Sequence, residues 1–155
     1  MAGKSPKVLV TLSNDVSKIM NSIASVSIEG KIDLLGTLKV AQLALKHKQN
    51  KSARQRILLF IGSPIVEDQK ELVKIGKRLK KNNIAVDIIN FGEVIENTEK
   101  LEAFYNAVKS NNNCSLIPVP PGPHVLSDYL TSFPSLFGSS GEGSGIVDPA
   151  NVALS

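Results

Sequence analysis

Few residues in this chain are placed to do chemistry, and Ser63 is the first to weigh. It stands in Gly62-Ser63-Pro64, directly after the apolar run Ile57 to Ile61. A turn at the carboxyl end of a parallel strand is where α/β sheets bind ligands. A serine there could hold a phosphate or, beside a base, act as a nucleophile. The surrounding pattern is not GxSxG, GxxxxGK[ST] or GxGxxG, and no base accompanies Ser63 in local sequence. A turn that needs Gly and Pro accounts for the motif. A small doubly wound enzyme using the Gly62-Ser63 loop for a phosphorylated substrate is therefore the alternative reading.

The other candidates are sparser still. His47 sits between Lys46 and Lys48 at the end of a helical pattern, where a cation suits the helix dipole. His124 follows the turn Pro120-Pro121-Gly122-Pro123, and no HExxH-type spacing joins the two histidines. Cys114 is alone, which excludes an intrachain disulfide and a cysteine-cluster zinc site and makes a reducing, intracellular setting the expectation. It reads as a small, partly buried residue near a strand start. No catalytic residue, cofactor or metal is expected.

The elements that must position these residues are legible from periodicity. The five apolar residues Ile57 to Ile61, between a basic start and a Gly-Ser-Pro stop, predict a central parallel strand buried on both faces. A helix follows from Glu67-Asp68, with Leu72, Val73, Ile75, Gly76 and Leu79 inward and Lys74, Lys77, Arg78 and Lys81 outward, ended by Asn82-Asn83. Ala85 to Ile89 predicts a second strand, closing in Asn90-Phe91-Gly92, and a strand-helix-strand crossover of this kind fixes an α/β architecture. A helix capped by Asn97 or Thr98 runs to Lys109, and Ser115 to Val119 is a third strand. Val125 to Ser132 reads as a short last helix.

Upstream, Val8 to Leu12 after Ser5-Pro6 predicts an edge strand or strand start. Val16, Ile19, Met20 and Ile23, behind Ser13-Asn14-Asp15, predict an amphipathic helix, and a more apolar one begins at Leu34. At 155 residues and 42% apolar, with mean hydropathy of +0.03, the chain fits one soluble domain. Eighteen Lys and Arg against 14 Asp and Glu give +4, a mild excess with almost no interleaved aromatics to stack bases, so nucleic acid is not the expected partner. The denser patch Lys74, Lys77, Arg78, Lys80 and Lys81 reads as a solvated helix face. No apolar run approaches the ~20 residues of a membrane span, so no membrane partner is expected.

Several blocks taken together resemble one family. They are Gly30-Lys31, Val40 to Lys51, Gly62-Ser63-Pro64, Lys77 to Lys81 and Val86 to Glu93, with the Pro-Pro-Gly-Pro turn and Val147-Asp148-Pro149 fitting the same pattern. The chain is similar, in order and up to about Phe137, to the von Willebrand factor A domain of the ubiquitin-receptor, non-ATPase subunit of the 26S proteasome regulatory particle. The resemblance implies a Rossmann-like, three-layer α/β/α fold with a mostly parallel sheet over residues 1–137, followed by a Gly/Ser-rich flexible tail, 138–155. It implies a non-catalytic scaffold that links proteasome lid and base in ubiquitin-dependent degradation, cytoplasmic and nuclear. By the ligand-position rule for open sheets, the expected partner contacts are Gly62, Ser63, Pro64, Glu67, Asn90, Gly92 and Glu93, together with the Pro120 to Pro123 turn. Lys31, in a Gly-flanked loop, is the candidate modification site.

Departures from the pattern carry expectations of their own. A complete domain of this family opens with a strand bearing Asp-Asn-Ser, a long helix and a second strand. None of these precedes Met1-Ala-Gly-Lys, so an N-terminal truncation is expected, with Ile57 to Ile61 left as an apolar edge and stability dependent on a partner. Polyubiquitin would be bound only through C-terminal helices not found before Ser155. The family's metal-ion-dependent adhesion site lacks its first ligand set, and Gly62-Ser63 replaces its late Asp. Thr37 alone stands near the Thr position, too few oxygens for a hard cation.

Overall fold

The computed structural model describes residues 5–47, 52–110, 114–123 and 125–133. They belong to two compact units, divided between Arg54 and Gln55. The expected tail, His124 and Val147-Asp148-Pro149 lie outside the described residues.

In the first unit, α1 (Val16–Ala24) starts where Asp15 accepts the Lys18 N–H at 3.2 Å, satisfying one of the donors a helix start leaves unpaired. Helix α2 (Leu34–Lys46) starts in the same way at Asp33, whose carboxylate accepts the Gly36 N–H at 2.7 Å, and ends on His47. Helix α2 buries Leu34 and Leu38, whereas α1 buries nothing. The strand expected at Val8 to Leu12 is not formed. This stretch is irregular, with Val8, Leu9 and Leu12 exposed. Strand propensity expresses fit to a neighbouring ladder, and among the described residues Val8 to Leu12 pairs with none.

The second unit alternates strand and helix: β1 (Gln55–Ile61), α3 (Gln69–Lys81), β2 (Ile84–Phe91), α4 (Val94–Val108), β3 (Ser115–Val119) and α5 (Leu126–Thr131). The strands form one parallel sheet in the order β1-β2-β3. Two crossovers that step the same way across a sheet put their helices on one face. Accordingly α3 and α4 pack against each other and onto β2. Gly76 lets them approach, since a β-carbon there would lie 3.1 Å from the Phe104 carbonyl oxygen. On the opposite face, Ile89, Ile117, Val119 and Phe133 form a second core with Leu126, Tyr129 and Leu130 of α5. The unit thus has three layers.

One boundary and one assignment in this unit differ from the sequence reading. The central strand is β2, buried from Ile84 to Asn90, and not β1. In β1 Ile57, Leu59 and Ile61 are buried while Leu58 and Phe60 are 50% and 44% exposed. Strand β1 pairs only with β2 among the described residues, which makes it an edge strand, and its alternating burial leaves the face with Leu58 and Phe60 exposed despite its unbroken apolar run. Helix α3 ends as expected, with Asn83 in the left-handed region (φ 54) that stops a helix. Helix α4 begins at Val94, ahead of the expected caps, and the Thr98 hydroxyl bonds back to the Val94 carbonyl at 2.6 Å.

Candidate functional site

At the carboxyl end of the sheet, the loops after β1 and β2 are tied together by one side chain. Asn97 lies in the second turn of α4, 1% exposed. Its Oδ1 accepts the Ile65 N–H at 2.9 Å, and its Nδ2 donates to the Ser63 carbonyl at 2.9 Å. Nδ2 also reaches Asn90 Oδ1 at 3.4 Å, while Asn90 Nδ2 donates to the Val94 carbonyl at 3.3 Å. Lys100 Nζ donates to the Ile65 carbonyl at 2.6 Å. A side-chain amide offers donors and an acceptor on two separate atoms, which suits a loop with one outward carbonyl and one outward N–H.

Two glycines set the close approach of these loops. A β-carbon on Gly62 would fall 2.5 Å from the Phe91 ring, so the turn after β1 can lie against β2 only without a side chain there. Gly92 takes φ +80, in the left-handed region that side chains disfavour, and its α-carbon side faces the Gly62 carbonyl.

The expected contact residues separate into two groups. Gly62, Ser63, Pro64, Gly92 and Glu93 are exposed on this rim, and Glu67 is half-buried beside it. Asn90 is 2% exposed and holds the first turn of α4 instead of presenting a side chain outward. The Pro120 to Pro123 turn follows β3, where Pro123 lines a shallow recess with Val125, Asp128, Tyr129 and Ser132, and the Tyr129 hydroxyl donates to the Pro118 carbonyl at 3.3 Å. Ser63 enters the hydrogen bonding through its backbone carbonyl, and among the described residues no side chain bonds its hydroxyl. That leaves a nucleophile without activation. Thr37 donates its hydroxyl to the Asp33 carbonyl at 2.6 Å, and Lys31 is exposed beside Gly30, whose φ is +73.

A second polar cluster sits on the sheet itself. Asp87, in the centre of β2 and 1% exposed, accepts from Arg56 at 2.7 Å through Oδ2, and Ser115 of β3 also favours its charged form by hydrogen bonding. Burial pushes its carboxyl above the ordinary range, with Arg56 pulling the other way. Burial also pushes the Cys114 thiol up; its sulfur accepts the Val86 N–H at 3.4 Å, an inert placement. Among the described residues no group of three His, Cys, Asp or Glu side chains is arranged to hold a metal.

The sequence reading missed Asn97, Lys100 and Asp87 as organising residues. Asn97 had a signal: it falls on the same helical stripe as Leu101, Phe104, Tyr105 and Val108, where an apolar residue is the rule. Asp87 carried one as well, a charge inside an otherwise apolar strand.

Comparisons with known proteins bear on this geometry. Residues 1–64 match the von Willebrand factor type A domain. The 26S proteasome non-ATPase regulatory subunit 4 of Dictyostelium discoideum is 53% identical over 92% of this chain and 41% of its own length. The 26S proteasome regulatory subunit rpn10 of Schizosaccharomyces pombe is 45% identical over 84% of this chain and 53% of its own. The crystal structure of the SpRpn10 VWA domain superposes with a TM-score of 0.77 at 41% identity, covering 92% of this chain and 69% of that one. The chain thus spans about half, or less, of the two full-length relatives.

Proposed function

Because this chain belongs to the von Willebrand factor type A domain family, in the group that includes the Rpn10 subunits, we propose that it is a non-catalytic docking module of a proteasome regulatory particle. Its task is to join lid and base subunits in ubiquitin-dependent degradation, in cytoplasm and nucleus. The contacts are made by the exposed rim: Gly62, Ser63, Pro64, Glu67, Gly92 and Glu93, with Asn90 acting from beneath. Polyubiquitin is engaged by helices outside these residues, and Lys31 serves as an exposed site of modification.

The observation that carries this reading is the Asn97 clamp. It holds the Gly62 to Ile65 loop by two hydrogen bonds of 2.9 Å and presents it as a fixed shape. A rigid rim without an activated nucleophile suits binding, because ordering costs are met before the partner arrives. The test is affinity capture of the chain from a proteasome-containing extract, scored by mass spectrometry, alongside Ser63→Arg and Glu67→Lys. Regulatory-particle subunits should be recovered with the parent chain and depleted with both variants. Unchanged recovery with the variants would remove the rim from the interface.

A further inference from the structure

We propose that the outer face of α3 is a second docking surface, for an acidic protein segment, separate from the rim. Six cations lie on this helix of 13 residues: Lys70, Lys74, Lys77, Arg78, Lys80 and Lys81, all exposed, against one acid, Glu71. At about 100° per residue, Lys70, Lys74, Lys77 and Lys81 fall within a single narrow stripe. That stripe lies diametrically opposite the buried residues Leu72, Ile75, Gly76 and Leu79. It is about 16 Å long at the rise of a helix.

The helix dipole explains cations in the last turn, Arg78, Lys80 and Lys81. It does not explain Lys70, in the first turn where a positive charge is disfavoured, nor Lys74 and Lys77 in the middle, where the dipole has little effect. Neighbours three and four apart along the stripe are like charges, each pair costing the helix a few tenths of a kcal/mol where Glu-Lys pairs would gain as much. Among the described residues none of the six is in an ion pair. The fold therefore holds a self-repelling face that a row of carboxylates at matching spacing would neutralise.

Other polyanions fit less well. No aromatic stands on the outer face of α3 to stack a base, and five of the six cations are lysines, lacking the planar fork that reads phosphate. A membrane-lying helix needs a free apolar face, and that of α3 is buried. This inference does not depend on which assembly the rim joins.

The experiment titrates labelled poly-L-glutamate with the full chain, with Lys70→Glu/Lys74→Glu/Lys77→Glu/Lys81→Glu, and with a control carrying Lys7→Glu/Lys18→Glu/Lys39→Glu/Lys46→Glu. Both variants have the same net charge, and circular dichroism checks their folding. A second stripe variant, with the same four lysines changed to Gln, keeps the test valid if reversal unfolds the protein. Binding by the parent should weaken with salt and fall about tenfold or more in the stripe variants, as expected for several exposed ion pairs lost together. The control should stay within about twofold, since distant charges are screened. Equal loss in both sets, no binding by the parent, or displacement of polyglutamate by poly-U or phosphatidylserine vesicles at lower charge concentration would each overturn the proposal.

Discussion

Helices α1 and α3 carry comparable apolar stripes and meet different fates. Leu72, Ile75 and Leu79 of α3 are 0%, 5% and 0% exposed, whereas Val16, Met20 and Ile23 of α1 are 67%, 60% and 60% exposed. Both helices are capped by an aspartate that accepts a backbone N–H of the first turn. Local chemistry is thus satisfied equally in the two, and what differs is packing: within its unit α3 has α4 and β2 against its stripe, whereas no residue of α1 is buried. Periodicity states which face of a helix would be buried and says nothing of whether a surface is there to bury it.

The sharpest break of this comparison is a pair of truncations. Leu79→Ala should cost about 3 kcal/mol, the price of removing a fully buried leucine from a packed core. Ile23→Ala should stay within about 0.5 kcal/mol, as exposed substitutions do. Urea unfolding at equal midpoint shifts would show that α1 is covered in solution.

Next in size is the clamp. Asn97→Leu keeps the volume and strands the Ile65 N–H and Ser63 carbonyl, so a loss of about 2 kcal/mol is expected, together with faster exchange of the Ile65 amide. If Ile65 exchange is unaltered, the loop is held by something other than Asn97. Gly92→Ala should cost about 1 kcal/mol, because alanine must take φ +80. A variant as stable as its parent would show that the turn relaxes.

The smallest effect concerns Asp87 and is read as a slope. With its folded-state carboxyl raised by burial, the native protein binds a proton before the unfolded chain does. Stability relative to Asp87→Asn should therefore increase as pH falls from neutral toward the ordinary carboxylate value of 3.8 and level off below it. Parallel curves for the two proteins would mean that Arg56 offsets the burial fully.

Much of the second unit was legible because its signals are local. The apolar runs and the Asn82-Asn83 stop placed α3, β2 and β3 within one to three residues at each end. The centre of the sheet was misjudged because the unbroken apolar run lies in β1 while Asp87 interrupts that of β2, yet among the described residues only β2 is paired on two sides. Val8 to Leu12 failed for a related reason: strand-forming residues need a ladder that sequence does not show. Turn chemistry placed Gly62 to Pro64 and Gly92-Glu93 in the loops that follow β1 and β2. Asn97 was read as a cap by its residue type, since its true partners, Ser63 and Ile65, are more than 30 positions away. Long-range pairing of that kind leaves only the indirect trace of a polar residue on an apolar stripe.

Asn97 has a mechanical consequence. It fastens the tip that follows β1 to the helix that follows β2, and Lys100 adds a second tether one turn further on. A pull on Gly62 to Pro64 is then shared between two crossovers and spread into the sheet, where an untethered loop would simply stretch. The second unit can act as a stiff strut, handing load from one end to the other with little slack.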